Sequence, residues 1–322
     1  MRVSLKIKLY TSKFMFVERS TESESAKLTE KNKGVATPRL LSQLRLVDIA
    51  IIIHLSAVAI LLIFFHQGVE NWPFFILGNF AFIVGLIYYI QLADRKSSKI
   101  LTFFRDCYPF FIFTFVFKEI ALVINILFPF WLESHLISWD LIVFGIHPTV
   151  WVQQFYRPWL TELMAFSYWS YYILFPVSGF TLYFQKDKSL YFSFVFRLSV
   201  TLLTCYFLYL FLGARGPHET LASLHLERDY VFIFDKFVKS IQDAASISGA
   251  AFPSSHVAAV WVVLIYLFRF KKWLGLTLLP LILVLTVSVV YLQYHYAVDP
   301  IAGILVVCIT YPLAGILEKR FS

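Results

Sequence analysis

The chain has 322 residues, of which 59% are hydrophobic and 15% charged, and its mean hydropathy is +0.72. Such a composition excludes a soluble domain, which must keep a wet, charged surface. The net charge of +8 is spread over a tail and short connections instead of one folded face, which argues against a nucleic-acid partner.

Residues 1–45 are polar and rich in Lys, Arg, Ser and Glu, with a low-complexity stretch from Ser20 to Lys33. This segment has little apolar surface to bury, so it reads as a disordered basic tail. Its most apolar patch, Phe14 to Val17, is too short for the centre of a secretory signal.

Eight apolar runs follow, at roughly 47–65, 73–92, 108–130, 160–184, 190–212, 255–269, 273–293 and 295–317. All but the sixth, which is short by apolar count and is expected to tilt little or extend into its flanks, have about the length a helix needs to cross ~30 Å of hydrocarbon, and none has the ten-residue alternation of a barrel. The expected fold is therefore all-α, a polytopic transmembrane helix bundle. Cys107, Cys205 and Cys308 sit in or beside separate runs, without metal or disulfide spacing, and are assigned to packing.

Positive residues accumulate on the cytoplasmic side of spanning helices. With these runs as spans, twenty-one Lys and Arg fall on the side of the tail and five on the other: Arg157, Arg215, Arg228, Lys236 and Lys239. Both termini are thus expected in the cytoplasm. Two long connections, 131–159 and 213–254, face the extracytoplasmic side (periplasmic, extracellular or lumenal) and mix aromatic with polar residues as lid loops would. Within the second, Leu226 to Ile241 reads as an amphipathic helix, lying on the membrane or packed within the loop.

Three segments bear candidate chemistry: Gly213-Ala-Arg-Gly-Pro217, Phe252-Pro-Ser-Ser-His256 and Tyr294-His-Tyr-Ala-Val-Asp299. His256 and His295 are 39 residues apart, close to two crossings, so both return to one membrane face. Arg215 and Ser255 bracket a non-spanning loop on that same face. His295 and Asp299, four apart on a helix, share a side of it. Asp299 can accept from one ring nitrogen of His295 and leave the other as a neutral nucleophile. His256 is placed to protonate a departing oxygen. Pro253 opens a helix whose free N–H groups, with the Ser254 and Ser255 hydroxyls, can cradle anionic oxygens, and Arg215 offers the planar donor fork that suits phosphate.

These segments resemble the three motifs of the type 2 phosphatidic acid phosphatase superfamily: an Arg-Pro element, a Pro-Ser-x-His element and a Ser-Arg-x₅-His-x₃-Asp element. The match is residue by residue at Pro253, Ser254, His256, Ser288, His295 and Asp299. The chain departs from the pattern at Leu208, where the first motif has Lys, at Gly216, which separates Arg215 from Pro217, and at Val289, where the third motif has Arg. A third motif without that Arg is similar to the inositol phosphotransferase branch, which includes inositol phosphorylceramide synthase. Asp140 to Gly145 and Pro158-Trp-Leu-Thr-Glu162 resemble the same branch.

The resemblance implies a six-helix phosphatase-type core, here at 105–318, with two extra N-terminal helices at 46–104. It also implies a metal-independent phosphatase or phosphotransferase working through a phosphohistidine on a lipid phosphate ester or diphosphate, with water or an alcohol as acceptor. An inositol phosphorylceramide synthase-like head-group transferase is one alternative. A transporter or scaffold that keeps the fold without catalysis is another. No cofactor or metal is expected: of the other histidines, His54, His66, His135, His147, His218 and His225, none pairs with another His or a carboxylate at ligand spacing. Lys118 and Glu119 fall mid-span, where ionisable residues usually mark function, and are expected to pair inside the bundle, with a substrate role as the alternative. Glu162 suits either the active face or a helix cap.

Overall fold

A computed structural model describes residues 43–96, 98–124, 127–226, 232–245 and 247–321. Most of the 1–45 tail, expected to be disordered, lies outside them. Arg45–Ser322 forms one compact unit that includes both N-terminal helices.

Ten helices of ten or more residues follow in order: α1 Leu46–Phe65, α2 Trp72–Lys96, α3 Lys99–Val123, α4 Glu133–Phe144, α5 Pro158–Tyr183, α6 Ser189–Phe211, α7 Ile233–Ala245, α8 Ser255–Phe270, α9 Lys272–Tyr291 and α10 Val298–Phe321. Six of them, α1, α2, α3, α6, α9 and α10, are long and apolar enough to cross a membrane. The protein is an all-α polytopic bundle, and an integral membrane protein. Of the eight expected spans, two fall outside that set of six. Helix α5 has 26 residues but carries Thr161, Glu162, Ser167, Tyr168, Ser170, Tyr171 and Tyr172, a polar face turned inward. Helix α8 has 16 residues, about 24 Å at 1.5 Å per residue, and is apolar but shorter than those six.

Helix α8 is the axis of the bundle, packed against α5, α6, α9 and α10, with Val257 to Val263 wholly buried apart from Trp261. Lipid supplies no hydrophobic drive for helices to associate, so close contact of small residues matters more. At Gly303 of α10 an added Cβ would lie 2.5 Å from the Ser254 carbonyl oxygen, which measures how closely α10 approaches the start of α8.

The third span is displaced from its expected place: 108–130 was the apolar run, and the helix is Lys99–Val123. Its first turns carry Arg105 and Asp106, which lower a hydropathy average but are paired here. Asp106 takes Arg45 at 2.7 Å and Lys188 at 3.6 Å, and Arg105 takes Asp94 at 3.8 Å. The shift moves Lys118 and Glu119 from mid-span to the last turns of α3. Glu119 accepts from Asn79 of α2 at 2.6 Å, the intra-bundle pairing expected of it.

Helices α3 and α5 touch towards the charged end through stacked Phe103 and Phe180, and Phe110 and Phe175. Nearer the other end, a cavity of about 460 Å³ lies between Phe117 and Lys118 of α3 and Tyr168, Tyr171 and Tyr172 of α5.

Candidate active site

The cavity is lined at its upper part by Ser255, His256, Tyr294 and His295, and lower down by Phe110, Phe113, Phe117 and Phe175. His256 sits in the first turn of α8, where Ser254 is the N-cap and accepts from the Val257 N–H. The imidazole is held among tyrosines of α5, with ring centroids at 5.1 Å to Tyr168 and 4.2 Å to Tyr171. Its centroid is 6.2 Å from that of His295.

His295 does not lie on the last helix as the four-residue spacing suggested. Helix α10 begins at Val298, and His295 belongs to a loop that starts at Gln293, whose φ is +67°. Both Tyr294 and His295 donate their N–H to the Val289 carbonyl at 3.1 Å. The expected pairing forms nonetheless. His295 Nδ1 is 2.7 Å from the Ala251 carbonyl oxygen and 3.2 Å from Asp299 Oδ2. A carbonyl can only accept, so Nδ1 carries the proton and Nε2 presents a lone pair. The buried Asp299 Oδ2 also accepts from the Tyr296 N–H at 2.9 Å, which ties the histidine loop to the start of α10.

The loops beneath this pair are laced together. Ala214 N–H donates to Gly249 and its carbonyl accepts from Ala251 N–H, at 2.9 and 3.0 Å, so the segment bearing Arg215 supports the carbonyl that holds His295. Asp140 of α4 accepts from the backbone N–H of Ala297 and Val298, both at 3.0 Å, capping α10. Burial pushes the Asp140 carboxyl upward and these two amide bonds oppose the rise. Glu162 is also a cap, though of another helix: it accepts from Phe234 and Asp235 at 2.8 and 3.1 Å, at the start of α7.

The sequence profile of the PAP2 superfamily matches residues 135–313, more than half of the chain. The chain belongs to the PAP2 superfamily. Membership brings a phosphatase or phosphotransferase type of activity, in a superfamily whose members are generally metal-independent. No curated protein matches the chain, and no solved structure does.

Of the superfamily's motif positions, the structure brings His256, His295 and Asp299 together, with Ser255 on the cavity wall. Ser254 is instead fully buried, spent on the cap of α8 and 3.4 Å from His295 Nε2. Arg215 does not line the cavity. Its Nε and Nη2 both donate to Glu133 Oε1, at 2.8 and 2.5 Å, and its guanidinium lies over the Trp131 ring. Those hydrogen bonds raise its pKa further. Val289, where the third motif carries Arg, is buried in a cluster with Ala165, Tyr168 and Val257.

Three groups of residues line the cavity beyond those assigned to the chemistry from sequence, among them Lys118, for which the sequence expectation is pairing within the bundle with a substrate role as the alternative. Lys118 is the one Lys or Arg among the described residues that line the cavity, and only the shift of α3 puts it there. His218 and Glu219 line it too; His218 follows the Arg-Gly-Pro segment directly, a signal that was available, and burial lowers its pKa. Tyr168, Tyr171 and Tyr172 look in sequence like any aromatic stretch. Among the described residues no cluster of His, Cys, Asp or Glu is placed to hold a metal ion.

Helix α7 occupies Ile233–Ala245, later than the Leu226–Ile241 expected, and 227–231 lie outside the described residues. It packs on α5, with Phe234 against Phe166 and Trp169. Ile241 and Gln242 form part of the cavity wall. Ile233 and Phe237 remain exposed, Phe237 at the edge of the contact with Trp169.

Proposed function

We propose that the protein is a membrane-embedded lipid phosphate phosphatase or phosphotransferase that works through a phosphohistidine on His295. The observation that carries this reading is the state of the His295 ring, with Nδ1–H spent on Ala251 and Asp299 and the Nε2 lone pair of the neutral ring turned the other way. There it meets the Ser254 hydroxyl only at 3.4 Å, a long contact that phosphorus can displace. In the first step Nε2 bonds to phosphorus while the ester P–O bond breaks, and protonated His256 gives its proton to the leaving oxygen. In the second, neutral His256 takes a proton from water or an alcohol, whose oxygen attacks phosphorus as the N–P bond breaks. Asp299 stabilises the positive charge on the His295 ring during the attack.

Lys118, which lines the same cavity as His256 and His295, is the cation assigned to the phosphoryl group, and Arg215 pairs with Glu133 outside the cavity lining. The N–H groups at the start of α8 add a partial positive charge. Phe110, Phe113, Phe117 and Phe175 suit an apolar tail, which fits a lipid phosphate ester or diphosphate. The charge distribution supports a site on the extracytoplasmic face with both termini in the cytoplasm. Transfer to an alcohol, as in an inositol phosphorylceramide synthase-like head-group transferase, is the second reading. It is favoured by α7, whose Ile241 and Gln242 form part of the cavity wall, because a more enclosed site disfavours water as the acceptor.

Incubation with a phosphate-labelled lipid phosphate should trap acid-labile label on the wild type and none on His295→Ala. Released inorganic phosphate identifies a hydrolase, and a labelled product that needs added alcohol identifies a transferase. Absence of label and of turnover with lipid phosphates and diphosphates would leave the non-catalytic scaffold standing.

A further inference from the structure

Helix α7 has so far been a wall, yet its hydrogen bonds reach His256. The Tyr168 hydroxyl lies 3.4 Å from His256 Nε2, and its ring, 2% exposed, is stacked on the imidazole with an interplanar angle of 28°. The same hydroxyl accepts from Gln242 Nε2 of α7 at 2.6 Å. Seven residues before that glutamine, the start of α7 is fixed by Glu162, which stands on the same helix as Tyr168. Tyr168 also touches Tyr294, the neighbour of His295, with ring centroids 5.2 Å apart.

We infer that Tyr168 is a positioning residue for His256, and that Gln242 makes this positioning depend on the docking of α7 against α5. The inference rests on His256 being the proton donor and acceptor of the reaction. A phenol has one proton and lone pairs to spare. The oxygen can accept from Gln242 and from Nε2–H of His256 at once, and it does so whether the ring is neutral or charged, which leaves Nδ1 as the nitrogen that exchanges its proton with the leaving or attacking oxygen. A neutral partner can therefore hold the ring in both protonation states, whereas a carboxylate in its place would favour the charged one. Release of α7 frees the hydroxyl to rotate and loosens the ring, so proton transfer is efficient only with the wall of the cavity in place. This links closure around a bound lipid to the chemical step.

The test compares two esters, a long-chain alkyl phosphate, whose departing oxygen needs a proton, and 4-nitrophenyl phosphate, whose leaving group does not. Tyr168→Phe keeps the ring stack and removes the hydroxyl. Gln242→Leu removes only the bond from α7. Each should lower kcat/KM on the alkyl ester about 10-fold more than on the aryl ester, within the range that acid catalysis and its alignment command. The double variant should be no worse than the worse single one, because both remove one pathway. Equal losses on the two esters, or losses that multiply in the double variant, would overturn the coupling. His256→Ala is the control: if it shows no bias between the esters, the assignment of His256 as the acid fails. Bias in His256→Ala without bias in Tyr168→Phe and Gln242→Leu sinks the coupling alone.

Discussion

At the scale of single residues, the positive charges divide unexpectedly between two roles. Arg215, in the motif segment, is held by Glu133 and serves the loop that supports the Ala251 carbonyl. Lys118, from a helix with no motif, lines the cavity. A charge-assisted contact to phosphate contributes about 1.5–3 kcal/mol. Lys118→Ala is therefore expected to lower kcat/KM for a lipid phosphate by about 10- to 100-fold, and Lys118→Arg to retain most of it. Steady-state kinetics in detergent micelles check this. A full-activity Lys118→Ala beside a dead Arg215→Ala would return the phosphate to Arg215. The identities of His256, His295 and Asp299 were legible because their spacing alone returns them to one face. The roles of Lys118 and Arg215 were not, because a long side chain can be directed only once its neighbours are known.

Among the elements, the approach of α10 to α8 is what sets His295 and Asp299 beside His256. Gly303 permits it, since a Cβ there would meet backbone, the Ser254 carbonyl oxygen at 2.5 Å and the Ala258 nitrogen at 3.5 Å. Backbone cannot swing aside. Gly303→Ala should cost about 1–3 kcal/mol of stability, lower the unfolding temperature and reduce turnover by moving the two histidines apart. Gly179 makes the contrast: its added Cβ would meet the far edge of the Phe110 ring at 2.5 Å, and a ring can rotate. Gly179→Ala should leave the unfolding temperature nearly unchanged while narrowing the lower cavity, seen as a preference for shorter-chained substrates. An unchanged unfolding temperature in Gly303→Ala would contradict the close packing of α8 and α10.

The same scale shows why one element was misplaced. Seven of the eight runs coincide with helices to within a few residues, because apolar length is a local property. The run at 108–130 did not, since the first turns of α3 carry Arg105 and Asp106, whose charges are met by Asp94, Arg45 and Lys188 from three other segments. Partners that distant are invisible to a sliding average. The start of α10 failed for a related reason: His295 is drawn out of helical geometry by the carbonyl of Ala251, 44 residues earlier.

For the molecule as a whole, the distribution of charge fixes an expected orientation. Among the described residues, the basic residues expected on the tail side lie at the helix ends on the side where Asp106 binds Arg45 and Lys188, and the histidines lie towards the other. Cys107 and Cys205 are buried and Cys308 is exposed on α10. Ser223→Cys, placed in an exposed turn on a Cys308→Ser background, should react with a membrane-impermeant maleimide added to intact cells or right-side-out vesicles. Labelling only after lysis would reverse the assigned sides.

Sequence by itself determined the class of fold, the number and order of the main helices and the three residues proposed for the chemistry. All of these follow from apolar length and from the return of alternate helix ends to one face. Tertiary structure decided which proton sits on His295, which cation faces the cavity and how α7 reaches His256. Each of those depends on a hydrogen bond or a contact between segments tens of residues apart, whose register no local pattern records.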